Sequence, residues 1–227
     1  MCLIVLAWRV HPDLPLMVAA NRDEFHARPA ARAAFWKDHP SILAGRDLEA
    51  GGSWMGVSRS GRFAAVTNYR GGRDASAMES RGALVTGFLS TDLSSKAFIE
   101  KTEKTKNGYS GFNLLVADED ELWWLSNRDG GSRRLEPGIY GLGNLLLDTP
   151  EVSEPKLKFE RSIAPGPSVE PLFGVLAASR IVAPEYGTRC STVLLARSDG
   201  RTHFAERPFE PSGAEGGTLR YEFFRAG

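Results

Sequence analysis

Met1-Cys2-Leu3-Ile4-Val5-Leu6-Ala7-Trp8 opens the chain, and its reading decides the fold. Residues 2–8 are almost wholly apolar and include the β-branched Ile4 and Val5, a pattern that suits a strand buried on both faces. Cys2 stands directly after the initiator Met, whose removal is usual when the second residue is small. Cys2 would then carry a thiol nucleophile and a free α-amine on one residue. Unperturbed, the amine titrates at roughly 7.7–8.0 and the thiol at about 8.5, so the amine can act as the thiol's own general base near neutral pH. The competing reading is a cysteine packed as a small hydrophobe.

Outward from this strand, His11-Pro12-Asp13 marks a turn and Leu16–Ala20 reads as a second buried strand, giving a hairpin that ends in the polar run Asn21-Arg22-Asp23-Glu24. Residues 25–41, polar and Ala-rich with Pro29 and Pro40, read as a long surface loop. Ile42–Asp47 is a short strand. Trp54–Ser58 and Phe63–Thr67 flank the Ser60-Gly61 turn of a second hairpin, which ends at Asn68. Residues 71–79 read as a loop. Leu84, Val85, Phe88 and Leu89 have helical spacing, and Ser94-Ser95 can cap a second helix reaching about Lys106. Strands follow at Phe112–Ala117 and Leu122–Leu125, where Trp123 and Trp124 face opposite sides. An apolar stretch from Ile139 ends at Asn144. Short helices are expected at Lys156–Ile163 and Leu172–Ala178, then strands at Cys190–Arg197, Thr202–Phe209 and 218–224. Hairpin-joined strands with segregated helices indicate an α+β fold of antiparallel sheets, not βαβ alternation. Two stacked sheets between outer helices would cover strands that are apolar on both faces. No linker interrupts residues 1–227, which read as a single domain.

Composition narrows the function. The 227 residues carry 28 Lys plus Arg and 28 Asp plus Glu, so the formal net charge is zero. A nucleic-acid partner is not expected, since such proteins usually show a basic surplus. Two cysteines, Cys2 and Cys190, exclude a disulfide scaffold and suit a reducing compartment. Cys190, at the head of a strand, reads as a packed residue. The four histidines lack ligand spacing, so no metal site is expected. The apolar start is interrupted by Arg9, too early to span a bilayer, and has no cleavage pattern after it. A cytoplasmic protein without stable membrane insertion is the expectation.

Four places share one pattern, an apolar strand meeting a polar residue: Ala20 with Asn21-Arg22-Asp23, Thr67 with Asn68, Gly143 with Asn144, and Arg189 with Cys190. If these ends converge on the first strand, Cys2 gains a polar pocket. Asn side chains can donate to a tetrahedral oxyanion, a guanidinium lowers a neighbouring thiol's pKa, and a carboxylate can orient an α-ammonium. Singly, each has an ordinary reading as a turn cap or a solvated ion pair.

Several motifs occur in order along the chain. They are Met1-Cys2, Asn21-Arg22-Asp23-Glu24, Gly51-Gly52-Ser53-Trp54-Met55-Gly56-Val57, Gly61-Arg62-Phe63, Thr67-Asn68-Tyr69-Arg70, Ser80-Arg81-Gly82, Gly111-Phe112-Asn113-Leu114-Leu115 and Tyr186-Gly187-Thr188-Arg189. Together they resemble the NRDE family, the family of transport and Golgi organisation protein 2. That family resembles N-terminal nucleophile hydrolases of four-layer αββα fold, especially the choloylglycine hydrolase and penicillin V acylase branch. The resemblance implies a cysteine amidohydrolase with Cys2 as nucleophile. It maps the branch's Arg and Asp onto the Asn21–Glu24 segment, its two later Asn residues onto Asn68 and Asn144, and its late Arg onto Arg189.

The branch spaces its pair Arg-x-x-Asp, whereas Arg22 and Asp23 are adjacent; aligned on Phe25, Asn21 and Glu24 take those places, and a one-residue shift reverses the strand face. Gly143 stands where the family often has Ser. The implied substrate is a small-molecule amide or acyl ligand, with no cofactor required. Some members also imply a link to haem transfer and to lipid or acyl-CoA metabolism, so the alternative is a haem or acyl-lipid binding and trafficking protein that uses the pocket without hydrolysis. The histidine pattern gives no permanent haem site, so haem would be a transient ligand.

Overall fold

The computed structural model describes residues 2–71, 77, 79–164 and 166–226. The structure divides the chain into two compact units, Met1–Arg28 with Pro137–Arg225, and Pro29–Glu136 with the last two residues. Among the described residues each holds one antiparallel sheet and two α-helices, as expected for an α+β fold.

The first unit starts with β1 (Leu3–Trp8) and β2 (Leu16–Phe25), paired from Leu3–Asn21 to Trp8–Leu16. The second unit then supplies β3–β9 and two helices, described below. The chain returns with β10 (Gly138–Leu142), β11 (Tyr186–Ala196), β12 (Arg201–Pro208) and β13 (Leu219–Phe224), and the six-stranded order is β10-β1-β2-β11-β12-β13. Alternation along the central strands sorts their side chains. Leu3, Val5, Ala7, Met17, Ala19, Val193 and Leu195 pack against Phe159 and Ile163 of one helix and Leu172, Phe173, Val175 and Leu176 of another. Ile4, Leu6, Val18 and Leu194 point to the opposite face and are buried as well. That is why these strands read as continuous apolar runs.

The first of those helices spans Ser153–Ile163, three residues longer at its start than the sequence suggests. Pro155 lies in its first turn, where a missing N–H costs nothing, so it does not delay the helix. The second spans Val169–Ala177.

The second unit is a meander of seven strands in chain order: β3 (Ala30–Phe35), β4 (Ile42–Asp47), β5 (Met55–Ser58), β6 (Phe63–Asn68), β7 (Phe112–Ala117), β8 (Leu122–Ser126) and β9 (Ser132–Leu135). Gly61, at φ +81°, makes the tight β5–β6 turn. Between β6 and β7 run α1 (Gly82–Leu89) and α2 (Ser95–Thr105); Ser94 caps α2, its side chain accepting from the Ala97 N–H at 3.2 Å. In chain order the two first-unit helices are α3 and α4. Leu84, Val85, Phe88, Leu89, Phe98 and Ile99 pack on Ile42, Ala44, Ala64, Leu114, Val116 and Leu125. Trp123 joins this helix-side cluster, while its neighbour Trp124 pairs across the sheet with Leu115's strand position.

Where the sequence suggests a loop at 25–41, β2 runs on to Phe25 and β3 occupies Ala30–Phe35. An Ala-rich run on a sheet edge carries little local β signal; pairing with β4 decides the conformation. The other edge strand, β9, is the short and largely polar Ser-Arg-Arg-Leu, which pairing with β8 makes extended. Of the expected loop at 71–79, residues 72–76 and 78 lie outside the described residues.

Phe159 is fully buried in the first unit's core. Phe159→Ala is expected to cost about 3–5 kcal/mol, read as a lowered midpoint in urea denaturation with an unchanged slope.

Candidate active site

Cys2 sits one residue before β1. The pairing of Leu3 with Asn21 sets Cys2 level with Arg22, and its sulfur lies against the backbone of the next residue. The Asp23 N–H donates to Sγ at 3.4 Å, and the thiol donates to the Asp23 carbonyl at 3.4 Å. On the other side of β1, β10 is paired as far as Ile4–Leu142. Beyond Leu142 the chain turns back, Leu142 bridging Leu147, and the half-buried Asn144 lies in that turn.

Strand alternation divides the Asn21–Glu24 segment. Asn21 faces α4: its Nδ2 donates to the Leu176 carbonyl at 3.0 Å, and its Oδ1 accepts from the Ser191 hydroxyl at 2.6 Å. The Asp23 carboxylate is on the same side, with Oδ1 accepting from the Thr188 hydroxyl at 2.6 Å. Arg22 and Glu24 point the other way, 3.9 Å apart, with Arg22 buried. Each of the four residues therefore has a distinct job at this strand end, and Asp23 meets Cys2 through its backbone.

Arg189 does not point at the sulfur. The β2–β11 register shifts between Thr188 and Cys190, leaving Arg189 at a β-bulge. Its Nη1 donates to the carbonyls of Phe25, His26 and Arg28 at 2.9, 3.3 and 3.0 Å, clamping the turn that follows β2. Asn68 closes β6 in the second unit, opposite Phe112 and exposed. Cys190 is buried, paired with Arg22's strand position, and its thiol is held well above the usual range by burial and then by the charge of Glu206.

Two residues at this strand end were missed as candidates, Thr188 and Tyr186. The Tyr186 hydroxyl donates to the Asp23 carbonyl at 3.2 Å, the same oxygen that receives the Cys2 thiol. Its ring meets Phe25 edge-on at 5.2 Å. The strand expected to start at Cys190 starts at Tyr186, which brings both residues into β11 beside β2. Gly187 between them is a strand residue without room for a side chain, since a Cβ there would lie 2.8 Å from the Ile181 carbonyl.

Burial pushes the Cys2 thiol up to about 11, helped by the charge of Asp23; the Asp23 N–H and Arg22 oppose this and lose. The Arg22 guanidinium near the thiol therefore does not yield a thiolate in the chain with Met1 attached. Tyr186 is likewise raised, first by burial and then by the charges of Cys2, Asp23 and Glu24. Among the described residues no group of three or more His, Cys, Asp and Glu could hold a metal ion, and no helix is long and apolar enough to cross a membrane.

The Transport and Golgi organisation 2 family model matches residues 1–180. The chain is 35% identical to the Transport and Golgi organization protein 2 homologs of Bos taurus and of Homo sapiens, in each case over 91% of this chain and 92% of the relative. The chain belongs to the Transport and Golgi organisation 2 family. The Drosophila melanogaster Transport and Golgi organization protein 2 is 29% identical over 70% of the chain and 64% of its own length.

Solved structures share this family member's fold. The Caenorhabditis elegans N-acylethanolamine-hydrolyzing acid amidase ortholog superposes with a TM-score of 0.55 at 9% identity, covering 86% of this chain and 92% of its own. The C2A mutant of the conjugated bile acid hydrolase from Clostridium perfringens gives 0.57 at 8% identity, covering 99% and 98%. At these identities the likeness shows the fold alone.

Two outcomes test this geometry. Asn21→Ala leaves the Leu176 carbonyl and the Ser191 hydroxyl without their buried partner and is expected to cost about 1–3 kcal/mol in urea denaturation. With Met1 attached, alkylation of Cys2 by iodoacetamide, followed on its own peptide by mass spectrometry, is expected to rise with pH and reach half its ceiling near 11. A folded-state thiol pKa raised in this way also means stability is full below the unfolded value of about 8.5 and falls as pH climbs from there through about 11.

Proposed function

We propose that this family member is a cysteine N-terminal nucleophile hydrolase that cleaves a linear carbon–nitrogen (amide) bond once Met1 has been removed. One observation carries the reading: the Cys2 sulfur is held at the head of β1 by hydrogen bonds to both backbone groups of Asp23. The position of the nucleophile is thereby set by sheet register, not by a mobile terminus. The shared fold with two proteins whose names state hydrolysis of an N-acylethanolamine and of a conjugated bile acid supports the same reading.

A thiol titrating at about 11 is ionised in roughly one molecule in ten thousand at pH 7. Catalysis thus needs a base beside the sulfur, and the α-amine freed by loss of Met1 is that base. The amine takes the Sγ proton as the S–C bond forms and the carbonyl oxygen becomes an oxyanion. Asn144, in the turn that follows β10, is the side-chain amide proposed to donate to it. The ammonium then gives its proton to the leaving nitrogen as the C–N bond breaks, leaving a thioester. Water, deprotonated by the amine, attacks that thioester; the acid leaves and the thiol recovers its proton. Arg22 and Glu24, on the face away from α4, flank these atoms, and Arg22 favours the negative sulfur as it develops.

The intact mass of the purified protein is expected to lack Met1. Release of amine from a panel of acyl amides, measured by fluorescamine, should fall roughly a thousandfold or more in Cys2→Ala and in protein prepared with Met1 retained. Amine release that persists in Cys2→Ala, or a mass showing Met1 in the native protein, overturns the reading. If the native protein cleaves nothing while haem gives a Soret shift that Cys2→Ala loses, a binding role takes its place.

A further inference from the structure

The Asp23 carbonyl oxygen receives two donors, the Cys2 thiol at 3.4 Å and the Tyr186 hydroxyl at 3.2 Å. Both side chains are thus one hydrogen bond from the same atom, on strands that flank β2. The Tyr186 ring is fixed edge-on against Phe25, and its backbone is held in β11 by pairing with β2. What remains free in this side chain is rotation of the O–H about the C–O bond.

We propose that Tyr186 is a positioning residue for Cys2, its hydroxyl sharing the Asp23 carbonyl with the thiol in the resting state and turning to the sulfur when the thiol gives up its proton. The inference rests on the reading of Cys2 as a nucleophile. In the resting state Tyr186 occupies part of the carbonyl's accepting capacity and so weakens the S–H···O bond that holds the thiol neutral. Once the proton has gone to the α-amine, or to solvent in a labelling experiment, the sulfur is the better acceptor and the Tyr186 hydroxyl donates to it, keeping its own proton throughout. Hydrogen bonding to the charged form favours that form, so both effects ease ionisation of Cys2.

The surrounding charges do not replace this donor. Asp23 on β2 opposes a negative sulfur, and Arg22 on the same strand supports it but is outweighed by burial. The Tyr186 phenol is pushed well above its ordinary value, burial first and the charge of Cys2 second, so it stays a donor at any pH where the site would work. The Thr188 hydroxyl is spent on the Asp23 carboxylate.

The test compares native protein with Tyr186→Phe, which keeps the ring against Phe25 and removes only the hydroxyl. Iodoacetamide labelling of the Cys2 peptide is followed against pH for both, with circular dichroism confirming the fold. The curve for Tyr186→Phe is expected to move up the pH axis by about one unit, which is about tenfold slower labelling at pH 8. A curve that overlies the native one, or moves down, overturns the proposal. The labelling readout does not depend on turnover. Absence of amide cleavage with the shift intact defeats the hydrolase reading alone; cleavage with no shift defeats the role of Tyr186 alone.

Discussion

The pairing of β1 with β2 fixes the site. Because Leu3 stands opposite Asn21, Cys2 stands level with Arg22 and its sulfur falls against the Asp23 backbone. A slip of one residue would turn Leu3, Val5 and Ala7 away from α3 and α4 and would move the thiol from Asp23. The core and the position of the Cys2 sulfur are therefore set by the same hydrogen-bond ladder, and the apolar face specifies that register. Asn21 reinforces this from β2 by tying the strand to the Leu176 carbonyl and to Ser191.

Around that ladder the polar residues at the end of β2 divide their work by strand parity. Odd positions, Asn21 and Asp23, brace the strand toward α4 and β11, and even positions, Arg22 and Glu24, present charge on the other face. Arg189 holds the turn beyond Phe25 with three carbonyl contacts from one nitrogen. A bulge makes this possible, since a regular strand would have kept Arg189 in alternation with Thr188 and Cys190.

Much of this was legible from residue order. The runs at residues 2–8, 16–20 and 112–117 declare strands by their apolar continuity, and Leu84, Val85, Phe88 and Leu89 declare a helix by spacing. Cys2 and the Asn21–Glu24 segment were picked out by position and polarity. What the sequence withheld were quantities set across strands. The division of labour among four consecutive polar residues depends on a register that no single strand encodes. Tyr186 and Thr188 were seen as part of a motif but given no role, because the strand was expected to start only at Cys190 and their contacts to Asp23 come from pairing with β2. β3 and β9 are edge strands whose partners, not their composition, make them extended.

The neutral state of the Cys2 thiol has a consequence for the protein's chemical lifetime. Peroxides attack thiolates, and a sulfur that ionises only near pH 11 offers them almost none at neutral pH. With Met1 attached, a thiol kept protonated by burial and by the Asp23 carbonyl is in a form that resists conversion to sulfenic acid. The sheet that aims the sulfur thus also shelters it from oxidation.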